Sequence, residues 1–159
     1  MRLWHKDLIP VLPRQQLISQ WRECVAISGM WAKNGEKPNM LLVDPIAKYP
    51  PEMLEAYALL VKREIKARGY KVSEGAYERL INNLKTVARG SLFSYDHTAL
   101  APSYTVDEIY VNWMNYRYLL QCYYNLQEKY DRGGILFGDW NKVEQLVIDK
   151  GREREERLN

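Results

Sequence analysis

Arg22 and Glu23 are neighbours in the segment QQLISQWREC, residues 15–24, close to the start of the chain. Leu17, Trp21 and Cys24 recur at helical spacing, so the segment is predicted to form an amphipathic helix. Neighbouring Arg and Glu side chains on a helix are most often solvated, and such a pair contributes about 0–1 kcal/mol. A carboxylate this near the start of a chain has a second interpretation, because it could serve a reactive group at the N-terminus.

The α-amino group of Met1 is the candidate reactive group. An α-amino group has an unperturbed pKa of about 7.7–8.0, against about 10.4 for a lysine amine, so a useful fraction is free base at neutral pH. Such an amine can attack an aldehyde or a sugar carbon and form a Schiff base. A nearby carboxylate would move protons and stabilise positive charge in the transition state. Glu23 is within reach if the N-terminal strand lies along the first helix, and we expect Met1 to be retained because Arg2 is not a small second residue.

Other catalytic chemistries find little support in the sequence. The chain has two histidines, His5 and His97, and no clustered Cys, His, Asp and Glu spacing of the zinc type, so no metal and no cofactor are expected. It contains no P-loop and no GxGxxG segment. A nucleophile pair of Cys24 with His5 stays open, and the lysines all lie in hydrophilic contexts that would keep their pKa high.

Composition indicates a globular intracellular protein. Of 159 residues, 47% are apolar and 27% charged, which predicts one helical domain over residues 1–150 and a charged tail over residues 151–159. Cys24 and Cys122 lie in apolar helical patterns, which indicates buried thiols in a reducing compartment. No apolar run reaches the length of a membrane span and no signal-peptide segment is seen. We expect a soluble, monomeric cytoplasmic protein without a membrane partner.

Charge is unevenly distributed along the chain. Residues 1–90 hold fifteen Lys and Arg against nine Asp and Glu, a net charge of +6, whereas residues 91–159 have a net charge of −3. A basic N-terminal half could bind phosphate, since each neutralised phosphate releases counterions. Twelve Tyr and five Trp suit either a core or stacking on flat ligands, and the core is the commoner use.

The elements that must position these residues are all helical in the predicted fold, a compact all-α domain of about four to five helices. Helix one is predicted from Pro13 to Gly29, followed by a long loop from Met30 to Pro50. The remaining predicted helices are one from Pro51 to Gly69, one capped by Ser73 and stopped by Gly90, one starting at the capping box TVDE (105–108) and reaching Tyr130, and a last one capped by Asp139. Residues 91–104 are predicted to be a loop, and the tail is predicted to fray.

The segments MRLW and LPRQQLISQWRE, followed by PPEMLEAYALLVKREIKARGYKV, resemble the pyrimidine-dimer DNA glycosylase family, which includes phage endonuclease V. VNWMNYRYLLQ resembles the family more loosely, and the opening MRLW is similar to that of short bacterial members. The resemblance covers roughly residues 1–28, 50–72 and 106–122. It implies an all-helical repair enzyme that acts on pyrimidine dimers in double-stranded DNA, with glycosylase and abasic-site lyase activity. Such an enzyme would be associated with the nucleoid when bound to DNA.

The resemblance also implies roles for individual residues. Met1 would supply the nucleophilic amine and Glu23 the essential carboxylate, with no metal or cofactor. The residues expected to contact DNA are Arg2, Arg14, Gln16, Arg22 and Arg117.

Three departures from the family pattern concern the lesion. Gln16 stands where the phage member has a histidine, and Ala26 stands where it has an arginine that faces DNA. The end of the chain, REREERLN, differs from the aromatic and basic tail of the phage member. Two alternatives therefore remain open: a glycosylase or lyase for a different damaged base, and a non-enzymatic helical module that binds nucleic acid or protein.

Overall fold

The computed structural model describes residues 1–90 and 104–159. Nearly all of the predicted loop at 91–104, and His97 with it, lies outside the described residues. The α-helices are α1 (Arg14–Asn34), α2 (Glu52–Ala67), α3 (Glu74–Arg89), α4 (Tyr116–Asp131) and α5 (Phe137–Leu158). Three short 3₁₀ helices span Lys6–Val11, Asp44–Lys48 and Val106–Glu108. No strand occurs in this part of the chain, so the predicted compact all-α class is confirmed.

Helix α1 is longer than the sequence pattern predicts. It passes through Gly29 and ends at Gly35, whose φ of 91° is the left-handed conformation that favours glycine. The extra turn buries Trp31, which is 3% exposed, and this burial outweighs the low helix propensity of Gly29. The predicted end at Gly29 is therefore wrong, and the loop that follows helix one is shorter than expected.

Helices α2 and α3 follow their local signals. Pro51 precedes α2, and Gly69 follows it with a φ of 86°. The Ser73 side chain accepts a hydrogen bond from the Ala76 N–H at 3.3 Å and caps α3, which ends before Gly90. These predicted starts and stops are confirmed.

The capping box at Thr105 does not begin a long helix. Its reciprocal hydrogen bonds form, but they close a single turn, and α4 starts only after Asn115, whose side chain accepts from the Tyr118 N–H at 2.9 Å. Between them Tyr110 and Asn112 have φ of 49° and 76°, which a right-handed helix cannot accommodate. Tyr110 is fully buried in this conformation, so tertiary packing overrides the local signal and the predicted start of helix four is wrong.

Helix α5 differs from the sequence prediction at both ends. It begins at Phe137 after Leu136, so Asp139 lies in its first turn and is not the cap. It continues to Leu158, and the predicted fraying of the tail is not observed. Glu153 lies 3.4 Å from Lys150 and 3.7 Å from Arg157, and ion pairs at this spacing stabilise a helix by a few tenths of a kcal/mol each, roughly 0.2–0.5.

Two groups of helices pack around one buried core. Helix α1 contacts α2 and α3, while α4 contacts α5, and the 3₁₀ helix Lys6–Val11 contacts both α2 and α5. Residues 1–5, which precede it, have no regular secondary structure, and Leu3 and Trp4 pack into the same core. Among the described helices, none is both long and apolar enough to cross a bilayer.

Candidate active site

The first five residues form no helix and are held in place by side chains. The backbone carbonyls of residues 2–4 each accept a hydrogen bond from a different helix, from Gln20 on α1, Tyr118 on α4 and Tyr57 on α2. Buried backbone groups left unpaired cost free energy, so these bonds fix the course of a segment that has no secondary structure of its own. The chain start is thereby fixed beside α1, as the proximity of Met1 and Glu23 requires.

Gln20 is fully buried, and both hydrogens and the oxygen of its amide have hydrogen-bond partners. Its Nε2 donates to Arg2 O at 3.0 Å and to Glu23 Oε2 at 3.2 Å. Its Oε1 accepts from the Trp4 N–H at 2.6 Å and lies 2.8 Å from the Tyr57 hydroxyl. The same hydroxyl lies 2.6 Å from Trp4 O, so its single proton can serve only one of the two acceptors at a time. Gln20 thus ties the N-terminal segment directly to Glu23.

The Glu23 carboxyl group lies partly buried beside the chain start. Burial raises its pKa, and four groups partly oppose this rise: the charge on the Met1 amine, the Arg2 N–H, the Gln20 side chain and the charge on Lys129. A carboxyl with a raised pKa is a better proton acceptor than a solvated one. The arrangement therefore puts a carboxyl suited to proton transfer next to a primary amine.

A pocket of about 260 Å³ opens at this point. Met1, at its edge, is 46% exposed, so a ligand can reach the chain start from solvent. The pocket combines three positive groups with one carboxyl: its lining residues are Met1, Arg2, Trp4, Glu23, Leu42, Asn125 and Lys129. We refer to it as the amine pocket.

Arg22 lines a different cavity, on the other side of α1. Successive helical residues differ by about 100° in direction, so neighbours on α1 face separate sites. This cavity has a volume of about 540 Å³, and we refer to it as the Arg22 cavity. It has apolar walls and a cationic rim, formed by Ile18, Trp21, Arg22, Val25, Ala26, Ile65, Lys71, Val72, Ser73, Ala76 and Arg79. The Trp21 Nε1 is buried without a hydrogen-bond partner among the described residues.

The other residues predicted to contact DNA are dispersed. Arg2 lies in the amine pocket, with its guanidinium 5.6 Å from the centre of the Trp4 ring. Arg14 is exposed at the start of α1, and Gln16 is partly buried with an Oε1 that has no partner among the described residues. Arg117 is exposed on the first turn of α4 and does not line the amine pocket. The structure thus brings Arg2 to Met1 and Glu23 but leaves the other predicted DNA contacts elsewhere.

The proposed pairing of Cys24 with His5 does not fit the structure. Burial raises the pKa of the Cys24 thiol, which disfavours the nucleophilic thiolate. His5 is buried, its Nδ1 accepts from the Asp7 N–H at 3.0 Å, and burial lowers its pKa. Both described cysteines are free and buried, as predicted. Within residues 1–90 and 104–159, no three His, Cys, Asp or Glu side chains are grouped to hold a metal ion.

Lys6 corrects the prediction that the lysines all lie in hydrophilic contexts. It is 6% exposed, and its ammonium donates to Ile109 O at 2.6 Å and to Asp107 O at 3.0 Å. Burial lowers its pKa. Because both carbonyls belong to the segment before α4, Lys6 joins the N-terminal segment to that part of the chain.

Sequence reasoning missed Gln20, the residue that links the site together. A signal was present, because Gln20 lies on the same helical face as Leu17 and Cys24, where the pattern calls for an apolar residue. A polar residue at a core position must find partners, and here they are the N-terminal backbone and Glu23. Lys129 and Asn125 carried no comparable signal, since they reach the pocket from α4 only through the fold.

Comparison with known families gives one match. The model of the pyrimidine dimer DNA glycosylase family matches residues 1–78, which include the N-terminal segment, α1, α2 and the start of α3. No curated protein and no solved structure matches the chain. The matched part contains the amine, Gln20 and Glu23, whereas Asn125 and Lys129 lie beyond it.

Proposed function

Because the chain belongs to the pyrimidine dimer DNA glycosylase family over residues 1–78, we propose that it is a DNA glycosylase with an associated lyase activity at abasic sites. The observation that carries this proposal is the amine pocket, in which the chain start and Glu23 are held together through Gln20. The chemistry requires that Met1 carry a free amino group.

In the glycosylase step the Met1 nitrogen forms a bond to the sugar C1′ while the bond from C1′ to the base breaks. The base leaves with the bonding electron pair and takes up a proton. The attacking nitrogen loses a proton. Its lone pair then forms a double bond to C1′ while the C1′–O4′ bond breaks and O4′ takes up a proton, which leaves a protonated imine. Glu23 lies beside the amine, where a carboxyl can accept that proton and, when ionised, stabilise positive charge at C1′.

The lyase step starts from the imine. Removal of a proton from C2′ sends its electron pair into a new C2′–C3′ double bond, and the bond from C3′ to the phosphate oxygen breaks. The imine nitrogen acts as the electron sink, so no redox partner is needed. Water finally hydrolyses the imine and regenerates the amine.

The Arg22 cavity supplies a surface for the DNA on the other side of α1. Its three cations, Arg22, Lys71 and Arg79, suit phosphate oxygens, and contacts to phosphate position a protein on a duplex. Its apolar wall includes Trp21, and aromatic side chains of this kind suit the faces of nucleic-acid bases. Enzymes that act on a base or its sugar extrude the nucleotide, and its C1′ must then reach the Met1 amine in the amine pocket.

The lesion is proposed to be a pyrimidine dimer, with a different damaged base as second candidate. Ala26 favours the second candidate, since it lines the Arg22 cavity where an arginine would add bulk and charge.

Borohydride trapping tests the proposal. Untagged protein, with its N-terminus verified by mass spectrometry, is incubated with a duplex that holds an abasic site and with one that holds a cis-syn thymine dimer. We expect a reduced covalent adduct on the Met1 nitrogen, strongly diminished in Glu23→Gln. Trapping on the abasic duplex alone would support a different lesion, and the absence of any adduct would support a non-enzymatic binding module.

A further inference from the structure

Leu41 and Leu42 are prominently exposed for apolar side chains. Leu41 is 88% exposed and Leu42 is 50% exposed. Single exposed apolar residues are common on protein surfaces, but here two are adjacent and one of them, Leu42, lines the amine pocket together with Met1 and Glu23. Exposed apolar side chains in this position, beside the reactive groups, are suited to contact a bound partner.

The turn that carries the two leucines is well anchored. Met40 O accepts from the Val43 N–H and from the Asp44 N–H, both at 2.9 Å, and the Met40 N–H donates to Asp44 Oδ1 at 2.9 Å. Val43, directly after the pair, is fully buried in the core. The backbone is therefore fixed on both sides of the pair, and the leucines are presented at the tip of a hydrogen-bonded turn.

The surroundings of the pair are suited to DNA. Arg2 and Lys129 line the same pocket, and the N-terminal half of the chain has a net charge of +6. A polyanion attracted by these charges offers one kind of apolar surface, the faces of its stacked bases. Apolar side chains that enter a duplex beside such cationic contacts insert between base steps and partly unstack them.

We propose that Leu41 and Leu42 form a wedge that enters the base stack of duplex DNA next to the nucleotide held in the amine pocket. This inference rests on the proposed function and adds to it the residues that open the duplex. The wedge occupies the space that an extruded nucleotide leaves, so it lowers the free energy of the extruded state and raises the fraction of DNA whose C1′ reaches Met1.

The test compares wild type with the double variant Leu41→Ala/Leu42→Ala on two abasic-site DNAs, a duplex and a single strand. Single-turnover borohydride trapping gives the rate of imine formation, and 2-aminopurine beside the abasic site reports unstacking by its fluorescence. We expect the double variant to lose about tenfold or more in rate on the duplex, together with the fluorescence rise, because unstacking a step costs a few kcal/mol. On the single strand, which has no stack to open, the single variant Leu41→Ala keeps the wild-type rate, because Leu41 does not line the amine pocket.

Leu136→Ala is the matched control, since Leu136 is 78% exposed at the turn before α5 and does not line the amine pocket. It should behave as wild type on both DNAs. Equal rates of the double variant and wild type on the duplex would overturn the wedge, as would an equal loss on duplex and single strand, which would mean that the leucines shape the pocket itself. A wild-type dimer that the double variant dissociates, seen by sedimentation velocity, would assign the pair to a second copy.

The failure of the proposed function is separable from the failure of the wedge. Absence of a wild-type adduct on both DNAs contradicts the amine chemistry. The 2-aminopurine signal of the bound duplex still decides on the leucines, because it depends on insertion and not on a covalent step.

Discussion

The two sides of helix α1 differ in how their polar groups are satisfied. On the side of the amine pocket, both hydrogens and the oxygen of the Gln20 amide have partners, and Glu23 accepts from two donors. On the side of the Arg22 cavity, the Trp21 N–H has no partner within the described residues, and the cations Arg22, Lys71 and Arg79 stand at an apolar wall. One side is complete without a ligand, and the cations on the other side can still bind one.

This difference indicates that the adjacent residues Arg22 and Glu23 serve different steps, Arg22 in DNA binding and Glu23 in the covalent reaction. A preorganised site holds its reacting groups without reorganisation, whereas unpaired donors and cations gain most when a ligand arrives. Substitutions on the amine side should therefore reduce the rate of the covalent step. Substitutions on the cavity side should reduce affinity for DNA.

Glu23→Gln should have the largest effect. If it had none, the assignment of the covalent step to the amine-pocket side of α1 would be wrong. A positioned proton-transfer group contributes about 10²–10⁴-fold to rate, so the single-turnover trapping rate at saturating DNA should fall by that order. Affinity for abasic duplex should change little. Glu156→Gln, at an exposed position of α5, is the matched control and should retain the wild-type rate. A Glu23→Gln protein that traps as fast as wild type would rule out the role of this carboxyl.

Gln20→Leu tests whether the buried amide positions the reacting groups. Loss of its bonds leaves the Trp4 N–H and Arg2 O unpaired, at about 1–3 kcal/mol for each buried group, and should lower the trapping rate about tenfold. The Gln20 side chain also lowers the Glu23 pKa, so its removal should move the acidic limb of the rate–pH profile to higher pH.

The pH profile separates positioning from simple loss of stability. Gln15→Leu places the same side chain at an exposed position of α1 and should leave both rate and profile unchanged. An unchanged acidic limb in Gln20→Leu, with only a lower melting temperature, would show that Gln20 is structural.

Arg22→Ala should have a smaller effect, and the effect should be weaker binding to DNA. Removing one phosphate contact weakens binding across all DNA sequences and reduces the slope of log K against log salt by about one. The trapping rate at saturating DNA should stay at the wild-type value, in contrast to Glu23→Gln. Fluorescence anisotropy at several salt concentrations measures this, with Arg152→Ala on α5 as control. A lower trapping rate at saturating DNA, without a change in the salt slope, would contradict this assignment of DNA binding to the Arg22 cavity and of the covalent step to the amine pocket.

The smallest expected effect is on the pH dependence of stability. Burial raises the Glu23 pKa, so the protonated form is favoured in the folded state. This favourable contribution is complete below the pKa of the carboxyl in the unfolded chain and is lost as the pH rises through its higher folded pKa. Glu23→Gln should therefore melt above wild type near neutral pH, with an advantage that shrinks toward about pH 4, the ordinary range of a glutamate. Melting curves across this range would contradict the assignment if the advantage grew in acid.

Local signals in the sequence determined much of the helical framework. Pro51, Gly69, Ser73 and Gly90 mark the ends of α2 and α3 correctly, because proline, glycine and capping serine act through the backbone within a few residues. The proximity of Met1 to Glu23 followed from a resemblance and from the length of an extended segment, and not from any local signal.

Tertiary structure decided what depends on contacts between distant residues. Burial of Trp31 extends α1 beyond Gly29. The buried ring of Tyr110 stabilises a left-handed backbone conformation where the capping box of Thr105 predicts a helix. The sequence places Gln20 in the first helix, but its side chain meets its partners on the N-terminal segment and on α2 only once the chain has folded. Helix propensity and capping depend on residues within one turn of helix. Burial and the pairing of buried polar groups depend on residues far apart in the chain, and these two contribute larger free energies.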